Sequence, residues 1–301
     1  MVIPPALQAG DTVYLLSTAR KINRQEIAFA VETLQSWGLE VRVGSTIGAS
    51  DFQFAGTDAL RAADFQQALE DPSVKAILCA RGGYGTLRVI DQLDFRPFLK
   101  QPKWICGFSD ITVLHTHLLQ VFGGSSIHST MPLNFQISTP ETLASLQRLL
   151  FGQKQSYEIA PLPGNRAGVA EGILCGGNLS LLLHLSGSAS DLDTRDKILF
   201  LEEIDEYLYH LDRMVHWLGR SGKLEGLRGM VVGHFSGMKN LDDQNPFGQT
   251  AYQILRDAVE AYDFPVCFGF PAGHEPDNRA FQVGGHYRLT VNDTQCTLQH
   301  L

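Results

Sequence analysis

The chain has 301 residues, of which 44% are hydrophobic and 19% charged, and a formal net charge of −8. This is the profile of a soluble globular enzyme of one large or two ordinary domains, not of a disordered chain. No basic block is present to neutralise phosphates, which argues against a nucleic-acid partner, and no apolar run reaches the roughly 18 residues of a membrane span. Met1-Val2-Ile3-Pro4-Pro5 lacks the basic and apolar regions of a secretory signal. Cys79, Cys106, Cys175, Cys267 and Cys296 are scattered, with no C-x-x-C pair, so no zinc site or disulfide framework is indicated and a reducing cytoplasm is the expected compartment.

The first half alternates two periodicities. Strands are predicted at Thr12–Ser17, Leu39–Val43, Val74–Ala80 and Lys103–Gly107, and helices at Asn23–Trp37 and Asp58–Leu69. Short apolar runs such as Val74–Ala80 suit the centre of a parallel sheet. The rhythm predicts a doubly wound, Rossmann- or flavodoxin-like α/β domain over residues 1–155, with ligands bound beyond the carboxyl ends of its strands. Gly152–Gly168, with Pro161 and Pro163, reads as a linker.

A second domain over 165–301 is predicted to be β-rich. It has strands at Val169–Leu174, Lys197–Leu201 and Arg228–His234, and a turn at Cys175–Asn178. Helices fall at Leu179–Leu185, Glu206–Leu218 and Ala251–Ala261, and a terminal hairpin at Tyr287–Leu298 turns at Asn292-Asp293. A cleft between two domains is a common place for a small-molecule site.

The most informative segment is Trp104-Ile105-Cys106-Gly107-Phe108-Ser109-Asp110. An apolar strand stops at a glycine, a hydroxyl follows two residues later, and a helical pattern begins at Ile111. That is the local plan of a nucleophile elbow, with a helix N-terminus suited to an oxyanion. The last glycine of G-x-S-x-G is replaced by Ile111, and an ordinary N-cap serine fits the same run. Ser109 needs a base and the base an orienting carboxylate. Of the ten histidines, His274 stands out in the Gly- and Pro-rich loop 268–278, since loops on rigid scaffolds carry chemistry disproportionately. His128 and His234 close strands and are further candidates. His115 and His117 are expected to pack or face solvent, and His184 to be a satisfied core residue. Glu202 ends the apolar run Ile198–Leu201, at a strand's carboxyl end. Glu203 points the other way if the strand continues, and one of the two is expected to be solvated. The loop Arg81-Gly82-Gly83-Tyr84-Gly85 offers backbone N–H groups to an oxyanion, or is a phosphate cradle or a structural turn; no Walker Lys-Ser pair or dinucleotide fingerprint accompanies it.

Taken in order, Arg81–Gly85, Cys106–Asp110, Glu171-Gly172…Gly176-Gly177-Asn178-Leu179, Leu199–Glu203 and Gly273-His274 resemble the successive motifs of the LD-carboxypeptidases, along with Gly10–Val13 and Phe54–Thr57. The resemblance covers nearly the whole chain. It implies an α/β N-terminal domain, a smaller β-containing C-terminal domain and a homodimer. It also implies a triad of Ser109 (nucleophile), His274 (base) and Glu202 (orienting acid), with oxyanion donors at the N–H groups of Gly83 and Asp110. The reaction implied is removal of the terminal D-Ala from cytoplasmic murein tetrapeptide, an L,D bond, with no metal or organic cofactor. Arg81 is a candidate partner for the substrate's terminal carboxylate or a structural ion pair. Two positions depart from the family: His128-Ser129-Thr130-Met131 stands where His-Gly-Pro-Met is common, and Glu203 where aspartate is common. The first bears on the substrate pocket. Competing readings are a same-fold hydrolase giving immunity to peptide-nucleotide antibiotics, an α/β-hydrolase esterase, and a Rossmann-type binding module in which Ser109 and His274 are unrelated in space.

Overall fold

Short apolar strands covered on both faces build the first half of the molecule. The computed structural model describes residues 1–301. It begins with strands β1 (Thr12–Leu16), β2 (Glu40–Val43), β3 (Val74–Cys79), β4 (Trp104–Gly107) and β5 (Ser126–His128). They pair in parallel in the order β5-β4-β3-β1-β2. β1 and β4 are wholly buried, whereas the edge strand β2 alternates between half-buried and exposed. Helices α1 (Ala28–Ser36), α2 (Asp58–Glu70), α3 (Arg96–Lys100) and α4 (Thr112–Phe122) cover the sheet. Two apolar clusters, one on each face, carry Val13, Leu15 and Leu78 on one side and Leu16, Ile77 and Ile105 on the other. A parallel sheet buried this way needs continuous apolar strands. All its carboxyl ends point the same way, which brings the loops after β3 and β4 side by side.

Helix α5 (Pro140–Leu150) follows; its N-cap is Thr139, whose side chain accepts from the Thr142 N–H. The sequence reading did not anticipate it, although Leu146, Leu149 and Leu150 form its buried stripe. The remaining strands are β6 (Ser156–Ile159), β7 (Gly168–Asn178), β8 (Lys197–Ile204), β9 (Gly229–Ser236), β10 (Val266–Phe268), β11 (Phe281–Val283), β12 (His286–Val291) and β13 (Cys296–His300), with helices α6 (Leu179–His184), α7 (Leu208–Arg220) and α8 (Ala251–Ala258). Seven of these strands form a second sheet in the order β10-β9-β8-β7-β12-β13-β6. β7 through β10 are parallel, and β12, β13 and β6 antiparallel. No helix is long and apolar enough to cross a membrane.

Four features differ from the expectation. Ser156–Ile159, inside the segment read as a linker, pairs with β13 as an edge strand; its alternating burial shows that it covers apolar surface. The predicted turn at Cys175–Asn178 is the continuation of β7, paired with β8 as far as Asn178↔Glu202. The glycines there serve close approach, since a Cβ on Gly176 would lie 2.1 Å from the Phe200 carbonyl oxygen. β8 runs on to Ile204 and buries both Glu202 and Glu203. β11 leaves the second sheet altogether and pairs antiparallel with β5 of the first, Phe281 opposite His128.

β11 is therefore one of several ties between the two sheets. Besides β11, the Thr112 hydroxyl at the start of α4 accepts from the Asn178 N–H at 3.0 Å. Phe281 is fully buried at the first tie, its ring stacked on His128 at 4.6 Å and edge-on to Phe200 at 4.7 Å. Phe281→Ala is expected to lower the unfolding free energy by about 3–5 kcal/mol, as measured by denaturant titration, whereas truncating the exposed Phe52 leaves it within about 0.5 kcal/mol.

Candidate active site

β4 ends at Gly107, and the chain turns so sharply that Ser109 takes φ +60°. A left-handed conformation at a residue other than glycine costs about 1–3 kcal/mol and persists only where its surroundings impose it. Here the imposition comes from α4, which starts at Thr112, and from His115 on that helix. The buried His115 ring touches the Gly107 carbonyl at 2.9 Å through Nε2 and the Ser126 hydroxyl at 2.8 Å through Nδ1. Burial pushes its pKa down to about 4, against the Gly107 hydrogen bond, so the ring is neutral. It is packed in the interior, the first of the two expected placements, and there it braces the elbow between strands β4 and β5.

The loop after β3 is packed onto this elbow. A Cβ on Gly82 would lie in ordinary contact with the elbow, 3.5 Å from Ser109 Cβ and 3.6 Å from the Asp110 nitrogen, so the loop sits directly against it. Gly83 follows at φ +107°. Two buried side chains fix the loop. The Asp110 carboxylate accepts from the Thr86 N–H at 2.9 Å, and burial holds its pKa up although Thr86 and Arg61 oppose this. Arg61, fully buried, donates to the carbonyls of Thr18 and Gly85 and pairs with Asp58. Neither role was read from the sequence; a lone Arg in the helical run 58–70 carries no local signal of it.

The second sheet supplies an acid and an imidazole. Glu202, fully buried on β8, accepts from His274 Nδ1 at 2.7 Å. Burial alone would lower the imidazole pKa, but the Glu202 charge and hydrogen bond, with help from Glu203 and Asp205, raise it. The His274 ring lies 4.7 Å from the ring of Phe108, the residue before Ser109. The imidazole and the elbow thus share one crevice between the two sheets. Nδ1 is taken by Glu202, so Nε2 is the nitrogen left for chemistry.

Glu203 is not solvated as expected. Its oxygens accept from Asn178 Nδ2 at 2.8 Å, Ser180 N–H at 2.8 Å and Ile204 N–H at 2.9 Å. Burial, with the neighbouring Glu202 charge, pushes its pKa up to about 7. Asn178 links the second tie to the acidic strand: its N–H reaches Thr112, its Nδ2 reaches Glu203 and its Oδ1 caps α6 through Leu181 N–H.

The remaining candidates lie as follows. His128 is fully buried against Phe108, Phe200 and Phe281, and burial, joined by His115, drives its pKa well down. His234 is half-buried near Glu202 and His274; burial lowers its pKa against the pull of Glu275, Asp277 and Glu202. His184, expected in the core, is exposed and bonded to the Ser180 carbonyl; the apolar face of α6 is carried by Leu179 and Leu182 instead. Arg81 donates to the Lys21 carbonyl at 3.0 Å and opens onto a polar cleft with Asn23, Glu26 and Ser50. No group of three or more His, Cys, Asp or Glu side chains is arranged to hold a metal ion.

This arrangement has known counterparts. Residues 13–129 match the family model of the LD-carboxypeptidase N-terminal domain, and residues 171–289 that of the LD-carboxypeptidase C-terminal domain. A probable murein peptide carboxypeptidase of Bacillus subtilis is 36% identical over 301 residues, covering 98% of this chain and 94% of that protein. A murein tetrapeptide carboxypeptidase of Pseudomonas aeruginosa is 30% identical over 283 residues, 90% of this chain and 91% of that protein. Among solved structures, a muramoyltetrapeptide carboxypeptidase from Oxalobacter formigenes superposes with a TM-score of 0.86 at 29% identity, covering 96% of this chain and 98% of that one. The microcin C7 self immunity protein MccF, in complex with aspartyl sulfamoyl adenosine, shares the fold at a TM-score of 0.87 and 20% identity, covering 100% of this chain and 99% of that one. With both halves matched, in order, by the two domain models, the chain belongs to the LD-carboxypeptidase family of serine-type carboxypeptidases.

Proposed function

We propose that this enzyme removes the terminal D-Ala from murein tetrapeptide, cleaving the bond from an L-centre to a D-residue, with Ser109, His274 and Glu202 as its triad. The observation that carries the reading is the buried 2.7 Å bond from His274 Nδ1 to Glu202, set against the residue that precedes Ser109. In this reading Ser109 Oγ attacks the scissile carbonyl as His274 Nε2 takes its proton. The tetrahedral oxyanion is held by the N–H groups of Gly83 and Asp110; the approach of Gly82 to the Asp110 nitrogen supports that pairing. The intermediate collapses, the C–N bond breaks, and His274 returns the proton to the departing amine. Water then gives a proton to His274 as its oxygen bonds to the acyl carbon, the ester bond to Ser109 Oγ breaks, and His274 returns that proton to Oγ, which frees the tripeptide. Glu202 holds the tautomer with the proton on Nδ1 and stabilises the imidazolium. The reading includes a homodimer working in peptidoglycan recycling in the cytoplasm, where its five cysteines stay as buried free thiols.

Incubation with murein tetrapeptide and assay of free D-alanine tests this. Ser109→Ala is expected to lower kcat about 10⁴-fold or more, and Glu202→Gln about 10³–10⁴-fold, with both variants folded by circular dichroism. A wild-type enzyme that releases no D-alanine removes the reading.

The base form of His274 is lost as pH falls through its pKa, so kcat/KM is expected to rise with pH through an ionisation above the ordinary value of about 6.5. Glu202→Gln removes the charge that opposes burial. The acid limb of its residual activity is expected at lower pH than in the wild type, as measured by a full pH–rate profile.

A further inference from the structure

His274 opens onto a pocket of about 200 Å³ that the triad does not use. Pockets for drug-sized ligands run to roughly 300–1,000 Å³, so this one has room for a single small residue and not for a tripeptide. Its walls combine the apolar side chains of Phe108 and Ile204 with the polar side chains of Thr130, Asn134, Ser138 and Asn278. Thr130 and Ser138 are bonded hydroxyl to hydroxyl at 2.9 Å, and Ser138 donates onward to the Asn134 carbonyl. The Thr130 hydroxyl is therefore the donor of the pair, and it can be redirected to a guest. Asn278 is almost fully buried, and its Nδ2 makes no hydrogen bond within the chain; it lies against His128 at a geometry short of one. A buried amide donor without a partner is costly unless something else completes it. Apart from His274, the one charged side chain on the wall is Glu275, which is exposed and bonded to Ser236.

We infer that this pocket is the subsite of the residue released, with Thr130 and Asn134 reading its carboxylate. The inference rests on the proposed carboxypeptidase function. The proton that His274 takes from Ser109 must be delivered to the departing nitrogen, so the departing residue sits on the imidazole's side of Ser109, where this pocket lies. The pocket is small and furnished with neutral donors, which suits a free carboxylate at the end of a chain. Arg81 is bonded to Lys21 and lines a different cleft that neither Ser109 nor His274 borders. The carboxylate is thus recognised by hydroxyl and amide donors in place of a fixed cation.

The test compares tetrapeptide ending in free D-Ala with the same peptide ending in D-Ala amide, by rates of release of D-alanine and D-alaninamide. Wild type is expected to prefer the free acid at least about 10-fold in kcat/KM, the worth of one hydrogen bond to a charged group. Thr130→Val and Asn134→Ala are each expected to lower kcat/KM for the acid about 10-fold while changing the amide less than about 3-fold, and Thr130→Ser is expected to restore the preference. Asn134 is half-exposed and carries the test if Thr130→Val fails to fold. Equal losses on both substrates, unchanged preference in both variants, no preference in wild type, or a preference erased by Arg81→Ala instead would each overturn the assignment. A wild-type enzyme that releases nothing from either peptide overturns the proposed function, and the subsite with it. Release from both by wild type, with the preference insensitive to Thr130 and Asn134, overturns the subsite alone.

Discussion

The hydrogen bond between His274 and Glu202 exists because one loop is anchored to two different sheets. Residues 269–280 leave β10 of the second sheet and enter β11 of the first. Glu202 is fixed on a central strand of the second sheet, and Ser109 on the carboxyl end of a central strand of the first. Only a segment held at both ends can keep an imidazole bonded to the former and packed beside the latter. Within the loop, the Asn278 amide oxygen accepts from Gly273 N–H at 3.0 Å, and the Asn278 N–H donates to the Thr142 hydroxyl of α5 at 2.8 Å. The loop is irregular in dihedral angles yet held by named bonds on both sides of His274.

The charge distribution follows from the same geometry. Two adjacent carboxylates are buried on β8, and two unscreened like charges side by side in a low-dielectric interior repel strongly. The chain separates their surroundings. Glu203 receives three N–H donors, while Glu202 receives His274 and keeps one oxygen without a partner. The strand alternation that points them to opposite faces lets one act on the imidazole and the other secure Asn178. Through Asn178 the second carboxylate reaches Thr112, three residues after Ser109, so β8 and the start of α4 share a hydrogen-bonded path that bypasses His274.

The sequence disclosed most of what depends on short-range pattern. In the first sheet β1, β3 and β4 were legible because each is a buried parallel strand with a mostly apolar run, β2 by its alternation, and the elbow because strand, glycine, serine and helix are contiguous. What stayed hidden depends on partners far away in the chain. β11 is three residues long and identifiable only by its pairing with β5. β6 lay in a Gly- and Pro-containing stretch whose strand character comes from β13. The glycines of Cys175–Asn178 resemble a turn locally, but they serve a tight crossing with β8 that no local rule reveals. Arg61 and the side chain of Asp110 act by bracing loops 24 residues away, and His115 braces the elbow across 8 and 11 residues; such contacts leave no periodic trace. The family resemblance brought Glu202 and His274 forward; the bonding of Glu203 and Asn178 had to come from coordinates.

The return of β11 to the first sheet also governs how the molecule is made. As the chain emerges from the ribosome, the first five strands and their helices are complete long before residue 281 appears. Until then β5 presents an open edge, with backbone donors and acceptors of the kind that recruit other chains. The nascent first half must wait, through synthesis of β6 to β10, for the short strand that closes it. Premature termination anywhere in that interval leaves a nearly finished sheet with an adhesive border, an aggregation hazard of the sort that multidomain chains meet during translation.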